Sequence, residues 1–258
     1  MSESFLTAAF LSISGGLQDA YTYIYRGEVF ANAQTGNIVL LSQSLVERKW
    51  STVIHYLIPL GFFAMGIVVA EGIRQKYKNV QRIHWRQLVL LMEMLLLLVV
   101  GFLPTACNLL ANAMVSFACA MQVQTFRKVN GYAFASTMCI GDLRSGVEAF
   151  CIWSKTHEPK VKDRMMRYFG IILLFAMGAG IGSMGAARLA GKTIWISCGL
   201  LLVSFALMFI REEIEENPAI EKDLAEIRQE TREIDRTLEQ ELKEEREELH
   251  EELHEKLR

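Results

Sequence analysis

The sequence predicts an all-α, polytopic membrane protein. Six transmembrane helices form two inverted three-helix repeats, each with a short polar half-helix. A charged, amphipathic cytoplasmic helix follows. Three observations lead there: long apolar runs fill residues 1–210, Lys and Arg gather in two loops, and one polar pattern occurs twice at a fixed offset. The 258 residues are 52% hydrophobic, but the average conceals a division. From Arg211 onward there are 19 acidic and 9 basic residues, against 10 and 18 before it. A basic membrane domain (1–212, with halves at about 5–104 and 106–210) and an acidic helix (213–258) are therefore separate objects.

A span needs about 20 mostly apolar residues. Six stretches qualify, at roughly 5–25, 52–73, 86–104, 106–126, 167–188 and 193–210. The start MSES has no basic residue and no cleavage pattern, so the first stretch reads as a retained helix, not a signal peptide. Two further segments, 35–47 and 138–152, are too short and too polar to span. The loops Arg74–Arg86 and Lys155–Arg167 each carry five Lys/Arg, and the link Leu103–Asn108 carries none. Basic loops stay in the cytoplasm. Six spans with both termini cytoplasmic place both basic loops inside. Trp50, Trp85 and Trp195 then fall near span ends, where an interfacial aromatic belt is expected.

The repeat is visible at an offset of 104 residues. QDAYTYIYRGEVFAN (Gln18–Asn32) lies over QVQTFRKVNGYAFAS (Gln122–Ser136), matching Gln18 to Gln122 and Gly27 to Gly131. One residue out of step, Thr35-Gly36-Asn37 meets Ile140-Gly141-Asp142. With three spans per half, the halves are inverted. Inverted repeats with interrupted polar segments at their interface characterise secondary transporters.

The elements GGLQDA (Gly15–Ala20) and GEVFANAQTGN (Gly27–Asn37) resemble the pattern of the YoaK-like family, bacterial six-span membrane proteins carrying a domain of unknown function. The resemblance covers about residues 5–210. It implies a bacterial plasma-membrane location and supplies no substrate. The second half departs from the pattern, with CIGD where Thr-Gly is expected, and the acidic tail is longer than the resemblance implies.

The polar residues inside the spans are the site candidates. Asp19 sits at membrane depth, where a carboxylate costs at least a few kcal/mol; it is a proton, cation or substrate contact, or else a structural acid. Glu93 lies among wholly apolar neighbours and needs a partner within the bundle or a proton. Gln18 and Gln122 suit interhelical hydrogen bonds or substrate contacts, and Gln124 suits the former. Thr35, Gly36 and Asn37 read as a helix start, with Thr35 or Asn37 as cap, which presents free N–H groups to an anion or carboxylate. Gly141 and Asp142 are their counterparts. His55 reads as a hydrogen-bonded histidine. Gly178 and Gly182 read as a close helix contact.

Two motifs are refused. GAARLAGKT (Gly185–Thr193) has Ala186 where a phosphate loop needs Gly, and no strand precedes it. HEELH (His250–His254) lies in a repetitive charged helix with no third ligand evident. The five scattered cysteines read as free thiols. The tail carries a narrow stripe that includes Ile220, Leu224, Ile227, Ile234, Leu238 and Leu242, as in a coiled coil, and suggests a homodimer. Its last turns are regular enough to suit an engineered extension as well as a native one. The expectation is a small secondary carrier of an unidentified solute, with the proton as candidate coupling ion. The alternative is a membrane scaffold that assembles through the tail. No enzyme activity, cofactor, resident metal or nucleic-acid partner is expected; lipid, a small molecule and a second copy are.

Overall fold

The computed structural model describes residues 5–77, 85–129, 132–133 and 139–216. Eight α-helices lie in that part: α1 (Phe5–Tyr25), α2 (Gln34–Val46), α3 (Trp50–Tyr77), α4 (Trp85–Val100), α5 (Asn108–Thr125), α6 (Cys139–Thr156), α7 (Pro159–Leu189) and α8 (Ile194–Glu216). A two-residue antiparallel ladder, β1 (Lys128–Val129) with β2 (Tyr132–Ala133), lies between α5 and α6. The membrane unit runs through Met208, and the chain from Phe209 belongs to a second unit. Only the end of α8 is described there. The coiled-coil stripe and HEELH lie outside the described residues.

Among the described residues, three helical stretches are long and apolar enough to cross a membrane: Trp50–Tyr77, Thr105–Thr125 and Pro159–Met208. The last holds α7, a 3₁₀ turn at Ala190–Thr193, and α8 as far as Met208. GAARLAGKT is thus the end of one helix and the turn into the next. Large apolar side chains are widely exposed, as at Val68, Leu95, Leu173 and Leu202. Pro59 sits buried inside α3, which apolar surroundings tolerate when neighbouring helices meet the freed carbonyl.

Turn chemistry sets the helix ends. At the end of α1, Glu28 N–H donates to Tyr23 O (2.9 Å). Gly27 takes φ 91° in the preceding position, where a side chain would be strained. α2 closes in the same way: Lys49 N–H donates to Ser44 O (2.9 Å) and Arg48 stands at φ 57°. Pro159 opens α7 at its first turn, where its missing N–H costs nothing.

α1 packs on α7 and α3 packs on α5, with α2 on α3 and α6 on α7. Small residues bring the paired backbones together. A Cβ on Gly178 would land on the Ile13 carbonyl, one on Gly182 on the Leu17 carbonyl, and one on Gly66 on the Phe117 carbonyl. The face of α7 bearing Gly178 and Gly182 is therefore filled by α1. Leu90, Leu97 and Val100 of α4 meet Val115 and Ala118 of α5 and Ile194 and Leu201 of α8 in the main apolar core. The expected aromatic belt is partial: Trp50 is exposed, but Trp85 is buried against Ala70, Val89 and Met121.

Candidate functional site

A cavity of about 700 Å³ lies among α1, α2, α6 and α7. Asp19 from α1, Gln34 and Thr35 from the start of α2, and Cys139, Ile140 and Gly141 from the start of α6 line it. Tyr23, Phe30, Phe63 and Phe175 supply aromatic surface, and Tyr23 stacks on Phe30 with ring centroids 4.6 Å apart. The chamber is mostly apolar, with a carboxyl group in one wall and the beginnings of both short helices at its edge.

Asp19 is held by the loop that follows its own helix. Its Oδ1 accepts the Asn32 N–H at 2.7 Å, and the backbone of Ala31 and Ala33 also faces the carboxylate. Asn32 ties back to α1 through its side-chain amide, which donates to Gly15 O (3.3 Å). The expectation that Thr35 or Asn37 caps α2 is corrected. Ala33 stands at the cap without a side-chain bond, and the helix starts at Gln34. A carboxylate from another helix faces the amides just ahead of that start, the position that favours negative charge. Asn37 is turned back instead: it accepts the Phe30 N–H (3.0 Å) and donates to Phe30 O (2.7 Å) and Gln34 Oε1 (2.8 Å). It clamps the cavity wall from behind. Gly36 does not line the cavity either; a Cβ there would press on the Phe30 ring.

A second polar group lies within the bundle. Glu93 of α4 is fully buried, and Gln18 Nε2 donates to its Oε1 at 3.3 Å. The same amide reaches Ser14 Oγ (3.0 Å) and Ser197 Oγ (3.3 Å), which lie 2.7 Å from each other. The Cys119 thiol of α5 donates to Gln18 Oε1 (2.7 Å). Gln18 and Asp19, adjacent in sequence, thus serve different clusters.

Of the predicted residues, Asp19, Thr35 and Gly141 meet at the cavity, and Gln18 meets Glu93. Gln122 donates to Leu11 O (3.3 Å), bracing α5 on α1. Asp142 is buried in the first turn of α6. Gln124 donates to Glu71 Oε2 (2.9 Å), and a His55 ring nitrogen lies 2.7 Å from Gly27 O. All five cysteines are free. Among the described residues no group of three or more His, Cys, Asp or Glu side chains could hold a metal.

Sequence reasoning passed over Asn32, Ser14, Ser197 and, above all, Arg26. Arg26 is fully buried. Its guanidinium donates to the carbonyls of Val100 (3.0 Å), Leu103 (2.9 Å) and Pro104 (3.2 Å), to Asn108 Oδ1 (3.1 Å) and to the Tyr21 hydroxyl (2.8 Å). It caps the C-terminal end of α4, where the helix dipole favours a cation. A signal was present: Arg26 is the only Lys or Arg among residues 1–47.

Apolar helices with buried acids and amides at their centre define a helical integral membrane protein. The chain belongs to the family described as "Protein of unknown function (DUF1275)", whose model matches residues 7–207. It is similar to the UPF0700 transmembrane protein YoaK of Bacillus subtilis (strain 168), at 26% identity over 204 residues, 74% of this chain and 88% of that protein. No solved structure matches.

Proposed function

We propose that the protein is a small secondary carrier of the bacterial plasma membrane. It has six spans in two inverted halves, both termini in the cytoplasm, and its solute site in the Asp19 cavity. The observation that carries the reading is that chamber, flanked by the starts of both short helices with a carboxyl group between them. Sites of this kind, at the meeting of two repeats and edged by half-helices, suit alternating access.

The packing supports the repeat. Gly66 of α3 approaches the Phe117 carbonyl, and Gly178 of α7 approaches the Ile13 carbonyl. Phe117 and Ile13 are 104 residues apart, the offset of the sequence repeat. Gly66 and Gly178 are 112 residues apart, so in this reading the α3–α5 and α7–α1 pairs are one contact made twice, with a short insertion between. The short helices follow suit, with α2 on α3 and α6 on α7.

The lining suits a small, largely apolar solute with one hydrogen-bonding group for Asp19 and Thr35. Asp19 is the candidate for proton coupling at the cavity. No reacting residue set is proposed, so the protein is read as a carrier and not an enzyme. A ligand-stabilisation screen of purified protein across metabolite classes and pH, followed by uptake of each hit into proteoliposomes, tests the reading. Stabilisation and uptake that both depend on Asp19 support it. Binding without uptake by any hit favours the alternative, a scaffold that assembles as a homodimer through the tail.

A further inference from the structure

The cavity leaves Glu93 unexplained. It sits mid-helix on α4 with no exposed surface. Its Oε1 has one donor, Gln18 Nε2, and its Oε2 has no hydrogen-bond partner among the described residues. Among the described residues, the titratable groups within electrostatic reach of it are Cys119 of α5 and Cys198 of α8, neither of them cationic. Arg26 is bound to carbonyls from Val100 onward, about 10 Å along α4 from Glu93 at 1.5 Å rise per residue. A carboxylate buried without a countercharge carries a penalty of several kcal/mol.

Two arrangements answer such a group: a bound metal cation or a proton. Hard cations take six or more oxygen ligands. Around Glu93 there are the hydroxyls of Ser14 and Ser197, and the Gln18 oxygen already receives the Cys119 thiol. That set is too small for a metal ion and sufficient for a proton. We propose that Glu93 is an exchangeable proton site, distinct from the solute cavity and connected to it through α1. The connection is short. Gln18 contacts Glu93, and the next residue, Asp19, is in the cavity wall. Cys119 lies within electrostatic reach of both carboxyl groups and beside the Asn32 amide. Release leaves Glu93 as a carboxylate and gives the proton to solvent; uptake is the reverse. The unpaired carboxylate then draws polar groups of α1 and α8 toward it, which links its charge to the arrangement of the bundle.

The proposal concerns binding and stands whether or not a solute is carried. Infrared difference spectroscopy of the full chain in lipid, in deuterated and ordinary water, reads it directly. A protonated-carboxyl carbonyl band that shifts on deuteration, disappears as pH rises and is lost in Glu93→Gln is the expected result; Asp19→Asn and Ser197→Ala keep the band. A Glu93 band unchanged at every pH overturns the proposal in favour of a permanently protonated structural acid. A spectrum identical in wild type and Glu93→Gln overturns it too. Loss of the band on replacing potassium by sodium at constant pH assigns the site to sodium instead. Should Glu93→Gln not fold, dicyclohexylcarbodiimide labelling of wild type, located by peptide mass, gives the same answer. Labelling of Glu93 at low pH that falls away at high pH upholds the proposal, and labelling independent of pH overturns it.

Discussion

Asp19 lines the cavity and Gly36 lies behind the Phe30 ring, and substitution separates their duties. Asp19→Asn keeps the acceptor for the Asn32 N–H but removes the titratable charge, so uptake is expected to fall with a changed pH profile and near-normal folding. Wild-type uptake by Asp19→Asn at every pH, with normal expression, would remove Asp19 from the mechanism. Gly36→Val presses on the Phe30 ring, so its defect should be independent of pH. Arg26→Leu strands the buried Val100 carbonyl and the part-buried carbonyl of Leu103, at about 1–3 kcal/mol for a buried group that stays unpaired; a clear loss of thermal stability in detergent checks this. Asp19 and Glu93 were legible in sequence because an ionisable group inside an apolar run is conspicuous. Asn32 was not, since its role depends on the loop returning to α1. Arg26 stood out only by charge count, and nothing local to it indicated that its partners lie beyond residue 99.

At the scale of the helix, the small residues decide more than the apolar ones. Gly178→Val puts side-chain atoms into the backbone of α1. Overpacking costs roughly 1–3 kcal/mol even where neighbours adjust, and backbone adjusts least, so a large drop in melting temperature is expected. Gly180→Ala on the same helix meets open space and should be nearly silent; equal effects from the two would deny the α1–α7 contact. The helices themselves were readable from apolar runs, and the short polar pair from their length. The cap of α2 was misplaced because Ala33 holds that position with no side-chain bond, Asn37 is turned back to Phe30, and the amides just ahead of the start face Asp19 from another helix.

For the whole molecule, topology and assembly are the open tests. A cysteine placed near Lys78 should react from the cytoplasmic side only; labelling solely from outside would reverse the orientation argued from Lys and Arg. Deleting residues 217–258 should give a smaller particle in multi-angle light scattering if the tail joins two copies. With the Gly178–Gly182 face already filled by α1, that stripe does not offer a second route to a dimer. The proposed inversion rests on a faint sequence echo, and two helix pairs that each set a small residue against a carbonyl support it.

Asp19 is both a wall of the cavity and a partner of the loop, and the two roles fall on one carboxylate. The carboxylate that a solute would meet is the one that fastens residues 31–33 to α1. A hydrogen-bond donor arriving in the chamber must therefore compete with the Asn32 amide, and a proton landing on Asp19 weakens the same fastening. If the protein carries a solute as proposed, the loop is a latch whose keeper is also the bait, and occupancy would loosen it with no separate sensor.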